Sequence, residues 1–346
     1  MTIATSKSLR AVAAPVALLL LATFPACSRS KIARPQNSDA PTRAEVSATS
    51  PAMPAPVQAE FRNVDFHVVS GVVLHIRRLR GELAPTHEDM PPTFDDRSSF
   101  FFKMTSGLVD MAPDDLARLM NQYVFAYPGA PLRNIRISIS GDQVKQEGTL
   151  RKGIPFQVEG SISATPDGLV RLHCVRIKSA HLPVKGLMDL LGVKLAGVVN
   201  LNDARGVRVA GDDIFLSPNG MIPPPRIEGK VSAARIENGE LVLVFGTGAG
   251  EASAAADSLR LPDPEARNYM YFRGGTLRFG KLTMVDSDLE IVDLDPSDPF
   301  DFDFDEYKRQ LVAGYSKSTA TGGLITFMPD LQGLRRTDTR LPRRGP

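Results

Sequence analysis

Phe61-Arg62-Asn63-Val64-Asp65-Phe66-His67-Val68-Val69-Ser70-Gly71-Val72-Val73-Leu74-His75-Ile76-Arg77-Arg78-Leu79 is the stretch that decides the fold class. Val64, Phe66 and Val68, then Val72, Leu74 and Ile76, recur at every second position around Ser70-Gly71. That is the period of a strand with one buried face, so the stretch predicts two strands or one long bent strand. Similar patterns run from Phe100 to Val109, Ile135 to Ser140, Val144 to Leu150, Phe156 to Ala164 and Leu169 to Ile177. Further along they run from Gly206 to Leu216, Ile227 to Ile236, Leu241 to Phe245 and Met270 to Val292. Gly141-Asp142, Pro166-Asp167-Gly168, Gly211-Asp212 and Glu237-Asn238-Gly239 punctuate them with residues that tolerate tight turns. Closely spaced turns imply sequential hairpins, hence an antiparallel meander.

Two or three helices interrupt this pattern. Pro113-Asp114-Asp115 opens the first, with proline in the first turn and carboxylates at the positive end of the helix dipole. Leu116, Leu119, Met120 and Tyr123 or Val124 then share one face. The second is expected from Val184 to about Val199, with Val184, Leu187, Met188, Leu191 and Leu195 on one side. The third is expected from Asp305 to about Ala313. The expected class is α+β, mainly β: a long curved antiparallel meander sheet wrapping two or three helices.

The beginning of the chain has a different grammar. Lys7 and Arg10 precede an apolar run from Ala11 to Phe24, and Pro25-Ala26-Cys27 closes it with a small residue directly before a cysteine. A positive start, a short apolar run and a small residue at a cut site make an export signal, and the run falls short of the about 20 residues of a membrane span. Cys27 resembles the lipobox cysteine of bacterial lipoproteins, which is acylated and becomes the first residue of the mature chain. Phe24 and Pro25 depart from that pattern, so an ordinary signal peptide cut near Ala26 stays open. Ser28 stands where inner-membrane lipoproteins usually carry Asp, which points to a periplasmic protein anchored in the outer membrane, with the inner membrane as the alternative. Residues 1–27 are thus expected to be a lipoprotein-type signal. Residues 28–59, rich in Pro, Ala, Ser and Thr, bury too little apolar surface to order and read as a tether. Residues 60–330 are expected to form a single large β-rich domain. Residues 331–346, with Arg335, Arg336, Arg340, Arg343 and Arg344, read as a basic disordered tail.

Chemistry-bearing motifs are sparse. The 346 residues hold 41 basic against 39 acidic side chains, a balance with no nucleic-acid signature. The five histidines form no HExxH or similar ligand set, Gly314-Tyr315-Ser316-Lys317 lacks the closing glycine of a nucleophile elbow, and Gly246 to Gly250 carries no phosphate-loop lysine. No catalytic residue, metal site or cofactor is expected. Cys174, in the alternation Leu172, Cys174, Ile177, reads as a small buried hydrophobe. The acidic stretch from Asp286 to Glu306 lacks the order of a calcium loop, and Phe300-Asp301-Phe302-Asp303-Phe304-Asp305 reads instead as a half-buried strand with phenylalanines in and aspartates out.

The segment from Met111 to Asn202 strings together the helix at Pro113, a hairpin from Leu132 to Leu150 and a strand opening at Pro155-Phe156. Ser163-Ala164-Thr165-Pro166-Asp167-Gly168-Leu169 and Leu182-Pro183-Val184-Lys185-Gly186-Leu187-Met188-Asp189-Leu190 follow. This order resembles the LmeA-like family of bacterial envelope phospholipid-binding proteins, with tubular lipid-binding (TULIP-like) folds. The resemblance implies a sheet wrapped around a helix, an apolar groove for lipid and no catalysis. Matched position by position, it makes Leu116, Leu119, Met120, Leu187, Leu190 and Leu191 the lipid-binding candidates, whereas residues 223–330 have no counterpart. The expected function is that of an envelope-tethered, non-enzymatic binder of a lipid or other amphiphile, held to the bacterial membrane by its N-terminal lipid anchor. The rival is an envelope scaffold or assembly protein with a packed interior and a protein partner. If Cys27 is the anchor, Cys27→Ser moves the protein from the membrane to the soluble fraction of a cell lysate; a variant still sedimenting with membranes rejects the anchor.

Overall fold

The computed structural model describes residues 55–69, 71–150, 153–179, 182–183, 204–246, 259 and 261–338. All of these fall in one compact unit. The signal with Cys27, most of the tether, and the second expected helix with Leu187, Leu190 and Leu191 lie outside the described residues.

Strands come first and dominate. They are β1 (Val57–Val69), β2 (Val72–Pro85), β3 (Phe100–Met111), β4 (Leu132–Ser140), β5 (Gln143–Leu150), β6 (Pro155–Ala164), β7 (Val170–Ser179), β8 (Leu182–Pro183) and β9 (Val207–Ala210). The series continues with β10 (Asp213–Leu216), β11 (Arg226–Glu228), β12 (Val231–Glu237), β13 (Glu240–Phe245), β14 (Tyr269–Phe279), β15 (Leu282–Asp293), β16 (Phe300–Asp303), β17 (Tyr315–Ser318) and β18 (Leu324–Met328). The helices are α1 (Pro113–Leu119), prolonged by a π-helical turn over Met120–Val124, a single turn at Pro218–Met221, α2 (Tyr307–Ala313) and α3 (Leu331–Asp338). The protein is mainly β with few helices. No helix among the described residues is long and apolar enough to cross a membrane.

The opening stretch forms the hairpin β1–β2, which breaks at Gly71 with φ 76°. Its inward residues Val64, Phe66, Val72, Leu74 and Ile76 are all buried, as the alternation requires. The strands divide into two sheets rather than one continuous meander. An eleven-stranded sheet runs β12-β13-β3-β2-β1-β14-β15-β18-β17, with β11 beside β3 and β16 beside β1. Three of its pairings are parallel, β1–β16, β3–β11 and β15–β18. Parallel neighbours need long crossovers that short turn signals cannot reveal. In the seven-stranded sheet, β4-β5-β6-β7-β10-β9 with β8 beside β7, only β4 to β7 form a sequential meander, because β10 inserts between β7 and β9. Leu331–Asp338 is helical where a disordered tail was expected, because Leu331 is buried and the helix packs on β16 and α2.

One contiguous core joins the inner faces of both sheets. In the large sheet it is aromatic: Phe94 lies 5.0–6.0 Å, ring to ring, from Phe100, Phe272, Phe279, Phe304 and Tyr307. Rings at these separations contribute about 0.5–1.5 kcal/mol per pair beyond their area burial. In the small sheet one close approach is enforced by glycine. Gly160 faces Cys174 across β6–β7 at a bulge that leaves Val175 unpaired and exposed, and a Cβ on Gly160 would stand 2.1 Å from the His173 carbonyl oxygen. Gly160→Ala should therefore lower unfolding free energy by about 1–3 kcal/mol in urea titration; a wild-type midpoint would contradict this backbone contact.

Candidate functional site

The small sheet presents one apolar face, built in rows by strand register. Ile162, Leu172, Ile214 and Val209 line up across β6, β7, β10 and β9, and Ile137, Gln146, Val158 and Ile177 across β4 to β7. α1 lies between this sheet and β2. It is fastened to the β1–β2 hairpin through its polar side: the Asp115 carboxylate accepts from the Val73 amide at 3.0 Å, and Arg118 donates to the Gly71 carbonyl. The expected helix is therefore present, and it buries Leu116 (7%), Leu119 (1%) and Met120 (3%) in the common core with Leu132, Ile135 and Ile137 of β4.

The helix then widens. Phe125 N–H reaches back to the Met120 carbonyl at 2.9 Å, the five-residue step of a π turn. This rotation places Asn121 against the outer edge of β4, where its amide accepts from Ile135 N–H at 2.9 Å and donates to Ile135 C=O at 2.7 Å. It also sets Tyr123 beneath the Arg205 guanidinium, 4.5 Å from ring centre. Burial along the apolar face is uneven. Val144, Val158, Leu172, Cys174 and Ile177 are buried, whereas Ile139, Phe156, Ile162, Val209, Ile214 and Leu216 pack on the core but stay half-buried.

Two histidine–carboxylate pairs lie in the large sheet. His67 meets Asp301 at 2.5 Å and His75 meets Asp65 at 2.6 Å. Burial lowers the His67 pKa, but the hydrogen bond and charge of Asp301, with Asp303 and Asp65, raise it above the ordinary value on balance. Among the described residues no hydroxyl or thiol bonds to either imidazole, so neither pair has an attached nucleophile. Asp301 and Asp303 are buried (6% and 7%), which overturns the expected aspartates-out strand. The reason is local: β16 pairs with β1, the Asp301 carboxylate accepts from Gln332 N–H as well as His67, and that of Asp303 accepts from the amides of Asp305 and Glu306. Sequence periodicity cannot register such partners.

Asp293, Asp298 and Asp330 bring one carboxylate oxygen each within 4.8 Å of the others. Burial and the neighbouring acids push Asp293 up to about 7 and Asp330 up to about 6. The Asn268 amide donates to one of these carboxylates, Asp293, and to the carbonyls of Asp295 and Asp298.

On the outer face of the large sheet, the segment leading into β14 is tied down by two buried carboxylates. Glu60 accepts from Leu259 N–H at 2.9 Å and from the Tyr269 hydroxyl at 2.8 Å, and Glu290 accepts from Asp263 N–H at 2.6 Å. Glu290 is fully buried, and among the described residues its second oxygen has no hydrogen-bond partner. Burial, with the charges of Asp263 and Asp288, pushes it up to about 7.

No family model matches the chain, and neither a curated protein nor a solved structure matches it.

The Glu290 geometry gives a pH dependence of definite sign. A carboxyl raised above its unfolded value favours the fold while protonated, so its contribution is lost as pH rises from about 4.5 through about 7. Glu290→Gln keeps an oxygen for Asp263 N–H and removes the titration. Relative to wild type it should gain about 1–3 kcal/mol between pH 4 and pH 8 in chemical unfolding; parallel stability profiles for the two proteins would show that Glu290 is not the titrating group.

Proposed function

We propose that the protein is a non-enzymatic, envelope-tethered binder of a lipid or other amphiphile, and that the apolar face of the seven-stranded sheet holds the acyl chain. One observation carries this reading: the row Ile162, Leu172, Ile214, Val209 passes from buried at Leu172 to half-buried at its two ends. Apolar surface left partly open on a one-sided sheet is what an alkyl chain covers, at about 0.8 kcal/mol per methylene sequestered. Leu116, Leu119 and Met120 form the floor, buried between β4 and β2. Membership of the LmeA-like group, the Cys27 anchor and the periplasmic, outer-membrane location are parts of the same proposal. They supply proximity, because a tethered domain meets its lipid at the membrane surface.

The aromatic interior of the large sheet favours a second reading for that half of the molecule. Phe61, Phe66, Phe94, Phe100, Phe102, Phe272, Phe279, Phe300, Phe302 and Phe304 pack against one another, as in a scaffold whose partners bind outside.

Organic extraction of natively purified protein, read by mass spectrometry, separates the two. Lipid binding predicts a stoichiometric phospholipid or fatty acid, and Val209→Asp with Ile214→Asp should weaken uptake of a fluorescent fatty acid by about tenfold or more while the far-UV circular dichroism is kept. Protein free of lipid that takes up no fatty acid, and that crosslinks in cells to one dominant protein, supports the scaffold instead.

A further inference from the structure

At Asn63 the central strand β1 changes neighbours. Arg62 is the last residue paired with β14, opposite Tyr269, and Val64 is the first paired with β16, opposite Phe300. Asn63, between them, takes the left-handed conformation with φ 52°. β2 breaks its own ladder at the same level: Ile76 pairs with Val109 and Arg78 with Leu108, so Arg77 is the extra residue of a bulge. Bulges bend a strand and re-aim side chains, and here two irregularities coincide where the sheet divides. A cleft of about 680 Å³ opens at that point, floored by Arg62, Asn63, His75 and Arg77 and walled by the segment from Pro264 to Asn268. This is ample for a small organic ligand.

The cleft concentrates cationic donors. Arg77 is committed to Asp110 at 2.5 Å and to Glu237 at 3.5 Å, and His75 to Asp65, so these two shape the floor without carrying spare charge. Arg62 and Arg267 differ: both are exposed, both line the cleft, and among the described residues neither has an ion-pair partner. Glu265 is the single acid of the lining. Asn63 donates to the Asn268 side-chain oxygen at 2.8 Å, which fixes the two amides that join floor to wall. Two guanidinium forks facing one space match a tetrahedral dianion, whose oxygens can accept from both, better than a single carboxylate, which one fork would satisfy.

We propose that this cleft binds a phosphomonoester, either a free small phosphate ester or the headgroup of a phosphatidic-acid-like lipid, with Arg62 and Arg267 as the binding residues. The site is on the large sheet and does not depend on the apolar face of the small one, so it stands or falls separately from acyl-chain binding.

The test uses the full chain. Calorimetric titration with glycerol 3-phosphate should show saturable binding in the wild type and none with glycerol. The double variant Arg62→Gln, Arg267→Gln should bind at least about tenfold more weakly. Its thermal melt without ligand should match wild type, because both side chains are exposed. Vesicles of phosphatidic acid in phosphatidylcholine, compared with phosphatidylcholine alone, separate the two sources. Variant-sensitive co-sedimentation with the acidic vesicles assigns the headgroup, and variant-sensitive binding of glycerol 3-phosphate without it assigns the free ester. Failure of both phosphate probes to bind, or equal binding by wild type and double variant, overturns the proposal.

Discussion

The inward face of β1 is the constraint on which the large sheet depends. Phe61 touches Phe102 of β3 and Phe272 of β14, at 5.3 and 5.6 Å between ring centres, while Phe66 stacks on Phe302 of β16 at 5.6 Å. One strand therefore anchors both an antiparallel and a parallel neighbour along the same edge. It can do so only because its two aromatic residues lie on either side of Asn63, each serving a different partner. The buried carboxylates on the opposite face follow from the same crowding. With strands and loops covering both sides, Glu60, Glu290, Asp301 and Asp303 hold backbone amides rather than water.

Local periodicity carried most of the strands. β1 to β7 and β12 to β15 were legible because apolar-rich runs of strand length recur between turns of recognisable chemistry. β17 and β18 were not. Tyr315–Ser318 is exposed along its whole length and has no apolar period, and Leu324–Met328 is too short to be told from a buried helix turn without knowing that it runs parallel to β15. The division into two sheets was equally invisible, since β3 finds β13 across more than a hundred residues.

For the candidate site, legibility was of a different kind. The face formed by Leu116, Leu119 and Met120 was readable as buried, but burial in a core and burial beneath a ligand leave the same pattern in a sequence. Asn121 gave no warning of its role, because nothing in a polar residue on a helix announces that the helix will widen by one residue. The convergence of Arg62 and Arg77 arises from a left-handed residue at Asn63 in β1 and one extra residue at Arg77 in β2, which only pairing reveals.

Asn121 has a further consequence. Among the described residues no strand lies outside β4, and by satisfying both main-chain groups of Ile135 Asn121 occupies the place of one at the rim of the small sheet. A foreign extended segment approaching along β4 meets a side chain already seated there, together with a backbone irregularity between Arg133 and Arg136. A single amide thus acts as a guard against cross-chain stacking at the β4 rim.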